Sequence, residues 1–173
     1  MTISVEIIKE LRNLTAASIA DCKKALEDAG GNLEKAQEIL RKRGLEKAAS
    51  KQNRSAKEGR VEAYIHHGNK IGVLVELNCE TDFVAKNEAF AQFAKDIAMQ
   101  IAALAPQYVS REDVPEEILA KQLDKEQFVK SFCLLEQTFI KDPSLTIKDY
   151  LGSLIAKFNE KIVIKQFSRY QIG

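Results

Sequence analysis

Apolar residues in the first part of the chain recur at helical spacing and are separated by charged residues. Three such runs occur before Gly44, and two of them follow residues that commonly cap helices, Ser18 and Asn32. Because three short helices enclose only a small core, we expect a marginal helical module within residues 1–44. The apolar positions of its first two helices are Val5, Ile8 and Leu11, followed by Ile19, Cys22, Ala25, Leu26 and Ala29.

A period of two replaces the helical period in the middle of the chain. Apolar and polar residues alternate over Val61–His67, which is typical of a half-buried strand. Gly68-Asn69 predicts a two-residue type II′ hairpin turn, because glycine readily adopts the positive φ that this turn needs. The apolar run Ile71–Cys79 is then the returning strand, and Ile162–Tyr170 is a third. The apolar positions of the first strand are Val61, Ala63 and Ile65.

Helical spacing returns after Asn87 and predicts a long amphipathic helix that covers the sheet. A further helical run contains Gly152, whose cost to a helix implies a close packing contact. Residues 110–129 are expected to be helical, with Leu123 in their apolar pattern, and residues 132–140 to be irregular. The predicted fold class is α+β, divided into a three-helix module (1–44), a basic linker with partial helical character (45–60) and an antiparallel three-stranded sheet packed with helices (61–173).

Composition limits the kinds of function open to the chain. Its 173 residues are 45% hydrophobic, enough for a buried core, and 26 basic residues are balanced by 25 acidic ones. Between Arg41 and Arg60, however, eight basic residues face only two acidic ones. Since no aromatic residues are interleaved there, a solvated tether is favoured over an RNA-binding segment. We therefore expect no direct contact with nucleic acid.

Candidate residues for catalysis or metal binding are scarce. His66 and His67 are adjacent and would point to opposite faces of a strand, so they do not form one metal site. The three cysteines are odd in number and widely spaced, which favours reduced thiols over disulfides or zinc. Phosphate-loop and hydrolase motifs are missing from the sequence. We expect a cytoplasmic protein that is not an enzyme, binds no cofactor or metal and has no membrane segment.

The stretch from Asn78 to Asn87 lies at the predicted corner between a strand and a helix. Such corners are surface loops held by rigid elements, and they often carry binding residues. Most of the stretch is explained by local structure: Thr81 and Asp82 satisfy turn donors and Asn87 caps the next helix. Phe83 is explained least well. From the sequence alone its ring either folds back into the core or projects towards a partner.

The sequence of this corner resembles the signature of the elongation factor Ts family. The resemblance extends to the N-terminal module, which is similar to the family's ubiquitin-associated-type module, to the hairpin around Gly68 and to the closing strand near Ile164. It implies a factor that binds elongation factor Tu and promotes release of GDP. It also implies that every residue of the signature takes part in binding the partner: Thr81, Asp82, Phe83, Val84, Ala85, Lys86 and Asn87.

The resemblance also assigns roles to particular residues. Asp82 and Phe83 would press on the partner's GTP-binding domain and disturb its magnesium and phosphate site, and His67 would approach a second domain of the partner. The N-terminal module would hold the GTP-binding domain through Asp21, Cys22, Lys23 and Lys24. Many family members have two core subdomains where this chain has room for one, so we expect a homodimer, with Lys161–Tyr170 a candidate interface strand. The segment around 120–129 is expected to be shortened.

Three other functions are compatible with the sequence. A ubiquitin-associated-type module that escorts nascent chains would use the N-terminal helices but leave the corner at Phe83 without a role. A ribosomal RNA-binding protein would use the basic segment, and its binding would depend steeply on salt. A thiol enzyme would need a reactive Cys79.

Overall fold

The computed structural model describes residues 3–15 and 17–173, and its class is α+β, as the sequence predicts. Besides the α-helices and strands given below, two 3₁₀ turns lie at Arg111–Asp113 and Leu134–Glu136. The helices are α1 (Val5–Thr15), α2 (Ile19–Asp28), α3 (Leu33–Ser50), α4 (Asp82–Ala85), α5 (Glu88–Leu104), α6 (Glu116–Ala120), α7 (Lys125–Phe132) and α8 (Ile147–Phe158). The strands are β1 (Glu58–Ile65), β2 (Ile71–Cys79), β3 (Thr138–Phe139), β4 (Asp142–Thr146) and β5 (Ile162–Gln171).

The first of two compact units contains the described residues up to Arg54 together with Asp149–Lys161. Its helices begin where the sequence predicts, because the Ser18 side chain accepts a hydrogen bond from Asp21 N–H and the Asn32 side chain accepts one from Lys35 N–H. Ile19, predicted to be part of the apolar core, is exposed. It is the first residue of α2, and the core-facing stripe starts one turn later. The buried residues of this helical cluster are Leu11, Cys22, Ala25, Leu26 and Ala36.

Helix α3 does not end before Gly44 but continues to Ser50. Gly44 is a contact point between helices, because a Cβ atom there would lie 3.1 Å from the Gly152 carbonyl oxygen. The packing reason predicted for Gly152 is therefore confirmed. Arg41 of α3 also donates to Asp149 at 3.4 Å, and the Lys161 ammonium donates to two backbone carbonyls that follow the helix. The part of the predicted linker nearest the module is thus an ordered, packed helix.

The second unit contains residues 55–148 and 162–173, and its centre is an antiparallel sheet in the order β1-β2-β5. Helix α5 packs on one face of this sheet, as the sequence predicts. It begins after Asn87, whose side chain accepts a hydrogen bond from Ala89 N–H, and ends before Ala105, which has a left-handed conformation. The buried residues of this layer are Val73, Val75, Leu77 and Cys79 from β2, and Phe90, Phe93, Ile97 and Ile101 from α5.

Strand β1 corrects two expectations. It runs from Glu58 to Ile65, so it starts three residues and ends two residues earlier than predicted, and its apolar residues Val61 and Ile65 are exposed. Register explains the orientation: Glu62 and Tyr64 pair with Val75 and Val73 of β2, and partners across strands share a face. The polar residues of β1 therefore face α5, and its apolar residues lie on the opposite, outer face of the sheet.

The β1–β2 connection is longer than the two-residue turn predicted. His66 N–H donates to Ile71 O, so four residues lie between this pair. Asn69 N–H donates to His66 O, which closes a turn with Gly68 as its third residue at φ 90°. Asn69 follows with φ 57°, a value that asparagine tolerates. Two consecutive residues with positive φ replace the single glycine of the predicted turn.

The segment between α5 and α8 is mostly helical, then extended. Val114, Val129 and Cys133 form a small buried cluster, and Leu119 and Phe128 pack against it. Of the predicted apolar pattern, Val129, Leu119 and Phe128 thus belong to this cluster. Leu123 does not belong to it: its side chain is fully exposed, because it lies in the turn between α6 and α7. The extended part that follows is fixed to α5 by the buried Gln100 side chain. Its amide nitrogen donates a hydrogen bond to Thr138 O, and its amide oxygen accepts one from Ile140 N–H.

Candidate functional site

The corner between β2 and α5 contains a single-turn helix that the sequence pattern did not reveal. Helix α4 has four residues, and the Thr81 hydroxyl caps it by accepting a hydrogen bond from Val84 N–H at 3.4 Å. Asn87 then caps α5. Two N-caps within seven residues turn the chain twice in a short distance, so that α4 is a separate turn between two longer elements.

Two side chains on neighbouring positions of α4 point in different directions. Val84 is buried, and Cys79 below it is fully buried with its thiol donating to Thr81 O at 3.1 Å. Phe83, in contrast, is 82% exposed. Since an exposed aromatic ring contributes little to folding, the structure resolves the two alternatives left by the sequence in favour of a projecting ring. The buried Val84 and the contacts of α4 with β1 and β2 fix the turn that carries the ring.

An ion pair spans α4. Lys86 Nζ lies 2.7 Å from Asp82 Oδ2, four residues earlier, and both side chains are substantially exposed. The hydrogen bond from Lys86 lowers the pKa of the Asp82 carboxyl, and the same bond raises the pKa of the Lys86 ammonium. The Asp-x-x-x-Lys spacing in the sequence is a signal for this pair, although the pair was not predicted. Asp82 and Lys86 thus lie on either side of Phe83 along the chain.

The hairpin residue singled out by the sequence lies at the tip of the β1–β2 connection. His67 is exposed there, preceding the left-handed Gly68. His66 has a different environment: its Nδ1 lies 3.1 Å from the Tyr64 hydroxyl, and the two rings are 6.1 Å apart. Of the two histidines, His67 is therefore the one that lies in the loop itself, and His66 lies at its base.

The four residues proposed for the N-terminal module differ in accessibility. Lys23 and Lys24 are exposed on α2, and Asp21 is partly exposed. The Ser18 hydroxyl donates to Asp21 and is the main cause of the lowered pKa of its carboxyl; Lys47 contributes further from 3.4 Å. The Cys22 side chain is fully buried in the helical cluster. This burial also raises the pKa of its thiol. Cys22 is therefore a core residue.

The basic segment from Arg41 to Arg60 is largely neutralised by neighbouring acids. The pairs in the described part of the chain are Arg41–Asp149, Lys42–Glu38, Arg43–Asp28, Lys47–Asp21 and Arg60–Glu62. A phosphate-binding surface needs cations that are free to contact an anion. The pairing favours the structural interpretation of the segment over RNA binding.

Other kinds of site receive little support. Within residues 3–15 and 17–173, no group of three or more potential metal ligands comes together, and no helix is long and apolar enough to cross a membrane. Cys79, the thiol considered for enzymatic chemistry, is buried and engaged with Thr81 O. A reactive cysteine requires an accessible thiolate, so the thiol-enzyme alternative is disfavoured.

Comparisons with known proteins agree on one family. The family model described as Elongation factor TS matches residues 2–127. Elongation factor Ts of Carboxydothermus hydrogenoformans is 51% identical, covering 99% of this chain and 89% of that protein. Elongation factor Ts of Caldanaerobacter subterraneus is 50% identical over 99% of this chain and 97% of its own length, and that of Thermodesulfovibrio yellowstonii is 48% identical over 100% and 98%.

The length of these alignments bears on the predicted shortening. The first alignment spans 194 positions, although this chain has 173 residues. The relative therefore carries residues within the aligned span that this chain lacks. A shortened internal segment produces such a difference. That the missing residues belong to the segment around 120–129 stays a prediction.

Proposed function

The chain belongs to the elongation factor Ts family, and from this premise we propose that it binds elongation factor Tu·GDP and promotes release of the GDP. The observation that carries the proposal is the exposure of Phe83 on a turn fixed from below by Val84. An exposed aromatic ring on a rigid support has the properties of an interface anchor, because little conformational entropy is lost when it is buried by a partner.

The proposed mechanism uses this chain as a wedge. Asp82 and Phe83 insert against helices of the partner's GTP-binding domain, and the displacement reaches the partner's magnesium and phosphate site. Binding of the factor and binding of GDP are then negatively coupled, and each lowers the affinity of the other by the same factor. No covalent bond is made or broken, so the chain acts without catalytic residues or a cofactor of its own.

Two further contacts complete the proposed complex. The exposed Lys23 and Lys24, with Asp21 beside them, hold the same GTP-binding domain, and His67 at the hairpin tip reaches a second domain. Their accessibility supports these roles. Cys22 contributes indirectly, because its buried side chain supports the helix that carries its neighbours. We propose that the complex forms in the cytoplasm, without direct contact to nucleic acid.

Stopped-flow fluorescence tests the proposal. Elongation factor Tu loaded with a fluorescent GDP is mixed with excess unlabelled GDP, with and without this chain at micromolar concentration. We expect the observed rate of GDP release to rise with the concentration of the chain and then to saturate. If release stays at its spontaneous rate over the whole concentration range, the exchange function is excluded.

We further propose that two copies of the chain pair through the outer face of the sheet. Register places one residue from β1, one from β2 and one from β5 in each row across this face. Its exposed apolar side chains are Val61, Ile65, Leu74 and Tyr170. Several exposed apolar side chains on one face are typical of an interaction site, and a two-fold axis allows the same face to cover itself. β5 contributes most of the predicted interface strand, Lys161–Tyr170.

Leu74→Lys tests this pairing. Leu74 lies on the central strand, so its replacement places an ammonium in the middle of the face. We expect the dissociation constant of the dimer to rise at least about tenfold, because burying a charge in an apolar contact is costly. Sedimentation at several concentrations measures it. Leu123→Lys, at an exposed position in the α6–α7 turn, is the control, and a wild-type chain that sediments as a monomer at micromolar concentration would contradict the proposal.

A further inference from the structure

The short length of α4 raises the question of what keeps it folded. A helix of four residues is unstable in isolation, since its few hydrogen bonds do not offset the entropy of ordering the turn. Phe83 cannot supply the missing stabilisation because its ring is exposed. The side chains around the ring must therefore hold the turn in place.

One side of the turn is anchored by burial. Val84 packs into the core, and the Thr81 hydroxyl accepts a hydrogen bond from its N–H. These interactions fix the buried side of the turn and the backbone of Val84. They leave the exposed half, with the Asp82 carboxylate, without support from the core.

The exposed half is closed by Lys86. Its backbone N–H donates to Asp82 O at 3.0 Å, and its ammonium lies 2.7 Å from the carboxylate of the same residue. Lys86 therefore holds both the main chain and the side chain of Asp82. Glu58, at the start of β1, adds an attractive electrostatic interaction with the Lys86 ammonium. The ammonium thus lies in the field of two carboxylates, one on α4 and one on the sheet.

We propose that Lys86 is a positioning residue for the wedge: its ammonium fixes the Asp82 carboxylate and closes the turn, so that Asp82 and Phe83 meet the partner in a preorganised arrangement. This inference rests on the proposed exchange function and assigns Lys86 a role within this chain instead of a contact with the partner. A preorganised wedge binds without first losing the entropy of a mobile turn. Because the pair is exposed, salt screens it, and its effect is largest at low ionic strength.

The main test compares Lys86→Met with Lys86→Arg in the GDP-release assay at low salt. Methionine keeps much of the side-chain length without the charge, whereas arginine keeps the charge. We expect kcat/KM for exchange to fall about two- to threefold with Lys86→Met, in line with exposed pairs at this spacing, and arginine to restore most of it. Lys95→Met, at an exposed site on α5, controls for loss of a surface charge.

A double-mutant cycle separates positioning from direct contact. In an Asp82→Asn background the ion pair is already lost, so adding Lys86→Met should cause no further decrease in kcat/KM. If Lys86→Met causes the same loss with asparagine at position 82, Lys86 acts on the partner directly and the inference is wrong. The inference is also wrong if the wild-type chain accelerates exchange and Lys86→Met has the same kcat/KM.

The ion pair can also be tested in the isolated chain, independently of exchange. The pKa of the Asp82 carboxyl, followed by NMR, should rise towards its ordinary value in Lys86→Met, because the hydrogen bond that lowers it is gone. The charged pair exists above the lowered pKa of Asp82 and is lost as the pH falls through it. An unchanged pKa would overturn the inference, whatever the result of the exchange assay. A wild-type chain that fails to accelerate GDP release would by itself contradict only the proposed function.

Discussion

Phe83→Ala is expected to reduce kcat/KM for GDP release from elongation factor Tu by about 30-fold or more. Aromatic anchors at the centre of an interface commonly contribute about 2 kcal/mol or more, and 1.4 kcal/mol corresponds to a factor of ten. The ring is 82% exposed, so its removal leaves no cavity in the core. The free energy of unfolding of the chain alone should therefore stay within about 0.5 kcal/mol of the wild-type value.

Stopped-flow exchange and urea unfolding of the same variant measure the two parts of this prediction. Leu123→Ala is a matched control, because it also truncates a large exposed apolar side chain of the second unit. We expect this control to leave both measurements unchanged. A Phe83→Ala chain that accelerates release as well as the wild type would show that the wedge assignment is wrong, whereas a large loss of stability would show that the ring packs within the chain.

The main elements of the fold are predictable from local patterns. The capping residues Ser18, Asn32 and Asn87 begin helices where the sequence indicates, because a side chain that accepts a hydrogen bond from the first turn acts over three residues or fewer. The apolar run of β2 likewise indicates a strand packed against a helix, although it predicts cover on both faces and Leu74 is exposed on the outer one. In these cases short-range sequence information is sufficient to locate the element.

Contacts between distant parts of the chain are not predictable in the same way. The alternation in β1 has the correct period, but which side faces α5 depends on the register with β2. A change of one residue in register moves every side chain to the other face. Similarly, Gly44 has the local pattern of a helix end, but α3 continues through it. The close approach of Gly44 to Gly152 joins residues more than a hundred positions apart, and a local pattern does not reveal it.

The candidate site shows the same division. The corner, the caps and the unusual position of Phe83 can be identified from the sequence, but the direction of the ring cannot. That direction follows from the single-turn α4, which buries Val84 and thereby exposes its neighbour. The residues Asp82 and Lys86 have a visible helical spacing, yet a helix of one turn gives no periodicity to detect.

Gly59→Ala is expected to destabilise the chain by about 3 kcal/mol or more, although the sequence assigns Gly59 to a linker. Gly59 lies in β1 at φ 155° and pairs with Asn78 of β2. A Cβ atom there would lie 2.0 Å from Leu77 O and 2.9 Å from Asn78 Cα. These are backbone atoms of the central strand, held by β5 on the other side, so they cannot move aside without loss of strand pairing.

The effect should reach the candidate site. Helix α4 contacts β1, and an edge strand displaced at Gly59 withdraws part of the support beneath the turn that carries Phe83. We therefore expect slower GDP release in addition to a lower urea midpoint. Gly68→Ala provides the control: Gly68 also has positive φ, but no atom beyond its two chain neighbours lies within 4 Å of the position that an added methyl group would occupy, so only the backbone cost of about 1 kcal/mol remains. Equal destabilisation of the two variants would show that the approach of β1 to β2 is not rigid.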